Sequence, residues 1–253
     1  MLALYVEAPF AVCRTFTAGW YRPAATFLTP SAAYGLVLNL ARVETRLREE
    51  DSTHPGSVPA SLNRPGLPAV RIALGAAAMK RRGGELALLA NEETPFPRVQ
   101  TAYQHLHNYP VGSSGGERAA TTFGNKYNIT PVRREFLTDL RAVVVLDGND
   151  DLEGEVRRGL AGELSDGRYG LPFLGDNSFL PDRIEILAEP IASHWYERVG
   201  PDAEMIRPRT TRMTTWIDRG DMSRSRSDLY APAELASADV PEAAWTAINP
   251  PGN

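Results

Sequence analysis

From Pro95 to Pro131 the chain carries few aliphatic side chains, and such a segment has too little apolar surface to offset the entropy of packing onto a core of its own. It reads instead as two extended arms, Arg98 to Val111 and Thr122 to Arg134, around a Gly-Ser tip at Gly112 to Gly116. The arms present rings and hydrogen-bonding edges at Gln100, Tyr103, His105, His107, Tyr109, Lys126, Tyr127 and Asn128. A single-stranded nucleic acid would supply the missing partner: its bases stack on rings for about 1 to 3 kcal/mol each, and Arg and Lys hold its phosphates. An ordinary solvated hairpin is the alternative that the residues leave open.

The rest of the chain must then build the core. A length of 253 residues, 43% of them hydrophobic and 23% charged, suits one main domain with an appendage. No apolar run reaches the ~18 residues of a membrane span, and MLALYVEAPF has no cationic leader and alternates like a strand. Cys13 stands alone, so neither an internal disulfide nor a cysteine zinc site is expected, and the expected location is the cytoplasm. The net charge of −4 hides a segregation: cations outnumber acids from Pro97 to Arg141 and again from Met205 to Arg226, while acids gather at Glu44 to Asp51 and Asp147 to Glu155. Basic surfaces on an acidic body follow from that pattern, as do plain solvated faces.

Patterning orders the elements. LALYVEA alternates as a half-buried strand. Thr29 is a natural N-cap and Pro30 a first helical residue, with Leu36, Leu40, Val43 and Leu47 at helical spacing. Gly35 within that helix points to close packing or a ligand. AVRIALGA and ELALLAN read as strands joined by the turn Lys80 to Gly84, and EFLTDLRAVVVLDG as a strand returning to the core. DLEGEVRRGLAGEL is an amphipathic helix with Leu152, Val156, Leu160 and Leu164 on one face. A glycine and aromatic loop, RYGLPFLGDNSFL, then leads to the strand RIEILAEP. The order predicts an α+β, ferredoxin-like plan of the RNA-recognition type over residues 1–190, elaborated between its third strand and second helix by a hairpin at about 96–135. Residues 191–253 are expected to form a small β-rich extension, with PEAAWTAINPPGN peripheral or disordered.

Three segments together carry a resemblance to a known family. Pro9-Phe10 then Arg14, followed by ATFLTPSAAYGLVLNL, resembles the N-terminal signature of the Cas five family of the RAMP superfamily. HNYPVGSSGGERAATTFGNKYNITPVRREFLTDLR is similar to the hairpin of its type I-B-related subgroup, and RYGLPFLGDNSFLP to its glycine-rich segment. The resemblance implies a subunit of a type I CRISPR Cascade whose hairpin, the thumb, clasps the repeat-derived 5′ handle of the crRNA. It implies as partners the backbone subunit, whose filament it caps, the large subunit, and target DNA near the recognised motif. The residues it singles out as RNA contacts are Arg14, Arg22, Ser31, Tyr34, Arg98, Gln100, His105, His107, Asn108, Lys126, Tyr127, Asn128, Arg133, Arg134, Gly170 and Gly175. Physical readings accompany some of these. Pro30 and Ser31 open a helix whose free N–H groups suit a phosphate beside Arg14 and Arg22, with a plain helix cap the equal alternative for Ser31. Tyr34 suits stacking or the core. Strand alternation sends one of Arg133 and Arg134 to the RNA side.

Catalysis is the rival class. One branch of the family cleaves precursor RNA without metal, a reaction that needs a base, an acid and a cation. His105, His107, Lys126 and Tyr127 would supply them. The adjacent Lys-His pair of that branch is absent, so a non-catalytic subunit is expected. His105 and His107 lack a third metal ligand in the pattern, and no cofactor or metal is expected. No Walker loop, G-x-S-x-G elbow or paired CxxC occurs. A third class is a protein-interaction module using Arg207 to Arg226.

Overall fold

The computed structural model describes residues 1–15, 21–47, 62–110, 127–165, 170–200 and 207–250, with the backbone alone at 105–110 and 127–130. Its centre is strand β1 (Leu2–Ala11), antiparallel on one edge to β7 (Tyr127–Asp147) and on the other to β8 (Arg183–Leu187). β7 pairs in turn with β3 (Val70–Ala77). Helix α1 (Pro30–Leu40) connects β1 to β3, and α2 (Asp150–Ala161) connects β7 to β8. The order β8-β1-β7-β3, antiparallel throughout, is the ferredoxin-like arrangement, in an α+β chain.

Both faces of the central strands are covered. Leu2, Leu4, Val6, Leu140, Val144 and Leu146 pack with the helices, while Ala3, Tyr5, Val143 and Val145 form a second core with Leu187 and Trp195. Helix α1 starts as its sequence predicts, the Thr29 hydroxyl accepting from the Ala32 N–H at 3.3 Å with Pro30 following. It ends at Leu40, short of Val43 and Leu47, because Arg42 takes a left-handed backbone, φ 57°. Gly35 is exposed, and a Cβ there would meet no described residue beyond its own helix within 4 Å, so its expected close packing is absent. The close approach is at Gly159 of α2, where a Cβ would lie 1.9 Å from the Leu40 carbonyl oxygen. Gly159→Ala should therefore destabilise the fold by about 1 to 3 kcal/mol through overpacking, although alanine is the better helix former. A lower denaturant midpoint with an unchanged slope checks this.

Two further expectations shift. ELAL forms β5 (Glu85–Leu88), which pairs only with β4 (Met79–Arg82) in a separate hairpin. Half of its side chains face water, and ion pairs of Lys80 and Arg82 with Glu93 and of Arg81 with Glu185 hold the hairpin down. The third core strand is accordingly β7, and the long insertion falls between the second and third core strands. The segment up to Pro250 is also no peripheral tail. β12 (Thr246–Ile248) pairs with β3, burying Ala244 and Ile248. β9 (Ser193–Arg198) lies beside β12 on the same edge of β3, followed outward by β11 (Arg226–Pro232) and β10 (Thr211–Trp216), so the C-terminal residues continue the main sheet.

β6 (Arg98–Pro110) runs antiparallel to the first half of β7, from Arg98 opposite Thr138 to His107 opposite Ile129 and Pro110 opposite Tyr127. β7 is thus one strand of 21 residues, half core and half ribbon. Where the halves meet, Asp139 adopts φ 61°, and the residues facing the helices change from Leu140, Ala142 and Val144 to Leu137. The switch sends Arg134 and Phe136 to the face away from the helices, and Arg133 and Glu135 to the opposite one.

Candidate nucleic-acid interface

At the base of the ribbon a short strand, β2 (Tyr21–Arg22), lies parallel to β7 and sets Tyr21 beside Arg133 and Arg22 beside Arg134. Glu135 holds it there. Its carboxylate accepts from the Tyr21 hydroxyl and, at 3.0 Å, from the Ala24 N–H. The Arg133 guanidinium rests 5.2 Å from the Tyr21 ring centre, a cation–π contact. On the other face, Arg14 pairs with Asp176 at 3.3 Å.

Arg134 feels the strain of this crowding. Burial above all, then the charges of Arg14 and Arg22, hold its guanidinium below the usual arginine range, with Asp176 opposing. Its Nε is buried without a hydrogen-bond partner. Among the described residues, neither Arg22 nor Arg134 makes an ion pair. Arg22 and Arg134 are neighbours across the β2–β7 pairing, Arg14 and its partner Asp176 lie close enough to act on Arg134, and a bound anion would relieve the repulsion among the three guanidiniums.

Beside them stand three rings. Phe10, Phe136 and Phe179 sit 5.7 to 6.0 Å apart, and Phe10 is 44% exposed. Phe179 arrives on the glycine loop, which is stitched to the end of β1: the Val12 N–H donates to the Leu174 carbonyl, and the Leu174 N–H to the Phe179 carbonyl, each at 2.9 Å. Gly175 permits that seat. It has φ 81°, and a Cβ would fall 1.6 Å from the Val12 carbonyl oxygen. Gly170 ties the same loop to α1, its carbonyl accepting from Asn39 at 3.3 Å.

Of the residues singled out from sequence, Arg14, Arg22 and Arg134 come together, while Arg133 stands on the opposite ribbon face. Gln100 is exposed and paired opposite Phe136. Arg98 is exposed farther down, lining a cavity of about 410 Å³ with Phe96, Tyr196 and Arg209. Ser31 is half-buried in a first turn already capped by Thr29. Gly170 and Gly175 shape the loop and offer no side chain. His105, His107 and Asn108 belong to β6, and Tyr127 and Asn128 to β7, as backbone positions; Lys126 and the tip lie outside the described residues.

Tyr34 is a correction to the stacking role. It is 4% exposed, and its hydroxyl, pushed up by burial, donates to the Pro68 carbonyl at 2.7 Å. It is a core residue. Tyr34→Phe should cost about 1 to 3 kcal/mol by orphaning that carbonyl, which denaturation would show as a lower midpoint.

Sequence reading missed Phe136, Phe179, Asp176, Glu135 and Tyr21 as site residues. Alternation out from Arg134 would have placed Phe136 on the same face, but the twist at Asp139 is invisible in the pattern. Among the described residues no cluster of three or more His, Cys, Asp or Glu could hold a metal, and no helix is long and apolar enough to cross a membrane.

No family model matches the chain, and no curated protein does. Among solved structures, it is similar to a chain described as "CRISPR RNA-guided surveillance complex", with a TM-score of 0.49 and 13% identity over 93% of this chain and 91% of that one. A second, described as "Crystal structure of Cas protein", has a TM-score of 0.42 and 12% identity, covering 93% of this chain and 94% of the other.

Proposed function

We propose that this chain is a non-catalytic RNA-binding subunit of a CRISPR Cascade, holding the 5′ handle of the crRNA at the base of its ribbon. The observation that carries the reading is the convergence of Arg14, Arg22 and Arg134 beside the Phe10, Phe136 and Phe179 rings. Guanidiniums hold phosphates and exposed rings take unstacked bases, which is how single strands are gripped without a folded duplex. The motif resemblance in the sequence supplies the kind of RNA. In the same reading the chain caps a backbone filament and meets the large subunit near target DNA.

The test is binding of RNA carrying a repeat-derived handle by the assembled complex. With Arg14, Arg22 and Arg134 all changed to Gln, the guide should be lost or left open to nuclease. A guide that stays bound and protected in that variant defeats the proposal. The rival endoribonuclease reading predicts metal-independent cleavage of repeat RNA by the chain alone, abolished by His105→Ala or His107→Ala; the proposed role predicts no cleavage.

A further inference from the structure

Strand β6 has a second edge that the fold leaves open. Among the described residues β7 is its only strand partner, so alternate residues of β6 point their N–H and C=O groups away from the ribbon. Every residue from Arg98 to Gln104 is exposed, Tyr103 at 75%. Natural sheets blunt such edges with short length, charge, proline or a bulge. β8, at one end of the main sheet, is blunted in this way: it is five residues long and carries Arg183 and Glu185. β6 is not. Val99 to His107 contains no Asp, Glu, Lys, Arg or Pro, and its register against β7 stays regular as far as His107.

Donors and acceptors alternate along this edge, and another β-strand repeats both at the matching spacing. A second copy of β6 suits it. In an antiparallel pair, residues that hydrogen-bond outward must face others that do so, and in two copies of one strand these share parity. A twofold axis therefore passes through a residue and not between two. Tyr103 is the midpoint of the regular, uncharged run. With the axis there, Val99 faces His107, Thr101 faces His105, and Arg98 falls opposite Asn108, so no like charges meet. Tyr103 faces its own copy, a favourable aromatic cross-strand pair. We propose that two copies of the free chain pair antiparallel through the open edges of β6, about a twofold axis at Tyr103. At about 3.4 Å per residue the contact spans roughly 30 Å, the size of a weak, concentration-dependent association. It lies in the plane of the ribbon, leaves the face of Arg134 and Phe136 uncovered, and stands independently of the RNA-binding reading.

Sedimentation equilibrium of the full chain, freed of nucleic acid and held above the pH range where histidine is charged, tests it over about 1 to 100 μM. The unaltered chain should pass from monomer to dimer across that range. Tyr103→Lys and Tyr103→Glu each set like charges face to face at the axis, and each should remain a monomer. Because Tyr103 is exposed, neither change disturbs the core. An equimolar mixture of the two variants should recover a dimer, a result that neither misfolding nor loss of the ring can produce. The unaltered chain staying monomeric throughout overturns the proposal. So do a dimer that persists in Tyr103→Lys, association that runs on beyond the dimer, and variants that stay monomeric when mixed.

Discussion

Gly175→Ala should weaken the fold by at least about 2 kcal/mol and strip the interface of its loop. Two costs combine: a non-glycine residue at φ 81° is strained, and the added carbon would lie 1.6 Å from the Val12 carbonyl oxygen, which is backbone and cannot swing aside. The chain can relieve the clash only by lifting the loop off β1. That motion carries Asp176 away from Arg14 and Phe179 away from Phe10. Denaturation should show the lower midpoint, and RNA titration a weaker complex at temperatures where the variant is still folded. Gly170→Ala is the control, since Gly170 has φ 113° with open space around it and should show strain alone. An unchanged midpoint in Gly175→Ala would mean that the loop is not seated on Val12.

Arg134→Ala should separate binding from stability. In the free protein the Arg134 guanidinium is partly desolvated, crowded by Arg14 and Arg22, and lacks a partner for Nε. In the proposed role, its removal takes away a charged hydrogen bond to RNA worth about 1.5 to 3 kcal/mol, roughly 10- to 100-fold in affinity. It also lowers the slope of log affinity against log salt by about 0.7. The same change removes like-charge repulsion, so the thermal midpoint should hold or rise, as expected where a binding site stores strain. Arg133→Ala, on the opposite face against Tyr21, should change affinity much less. If both variants lose affinity equally, the two ribbon faces are not distinguished by RNA.

The division between what sequence revealed and what it concealed is physical. Period-two and helical patterns in LALYVEA, the Thr29-Pro30 start and the Leu152–Val156 face report burial, and burial follows the fold, so the β-α-β-β-α-β order was readable. ELALLAN misled because a short apolar run looks the same whether it joins the main sheet or folds into a hairpin braced by surface ion pairs. Arg14, Arg22 and Arg134 were legible as cations, and the structure adds their convergence, which depends on β2 lying along β7. The aromatic platform was hidden because its rings come from β1, β7 and a loop far apart in sequence. Tyr34 was ambiguous in principle: a tyrosine one turn into a helix serves a core or a ligand equally well until its hydroxyl finds Pro68.

Photo-crosslinking of a handle RNA in the assembled complex, with the attached peptides mapped by mass spectrometry, tests the central claim most directly. Base-derived adducts should fall on Phe10, Phe136 or Phe179 and disappear when Arg14, Arg22 and Arg134 are neutralised together. Adducts confined to the C-terminal segment from Arg207 to Arg226, or persisting undiminished in the neutralised variant, would contradict it.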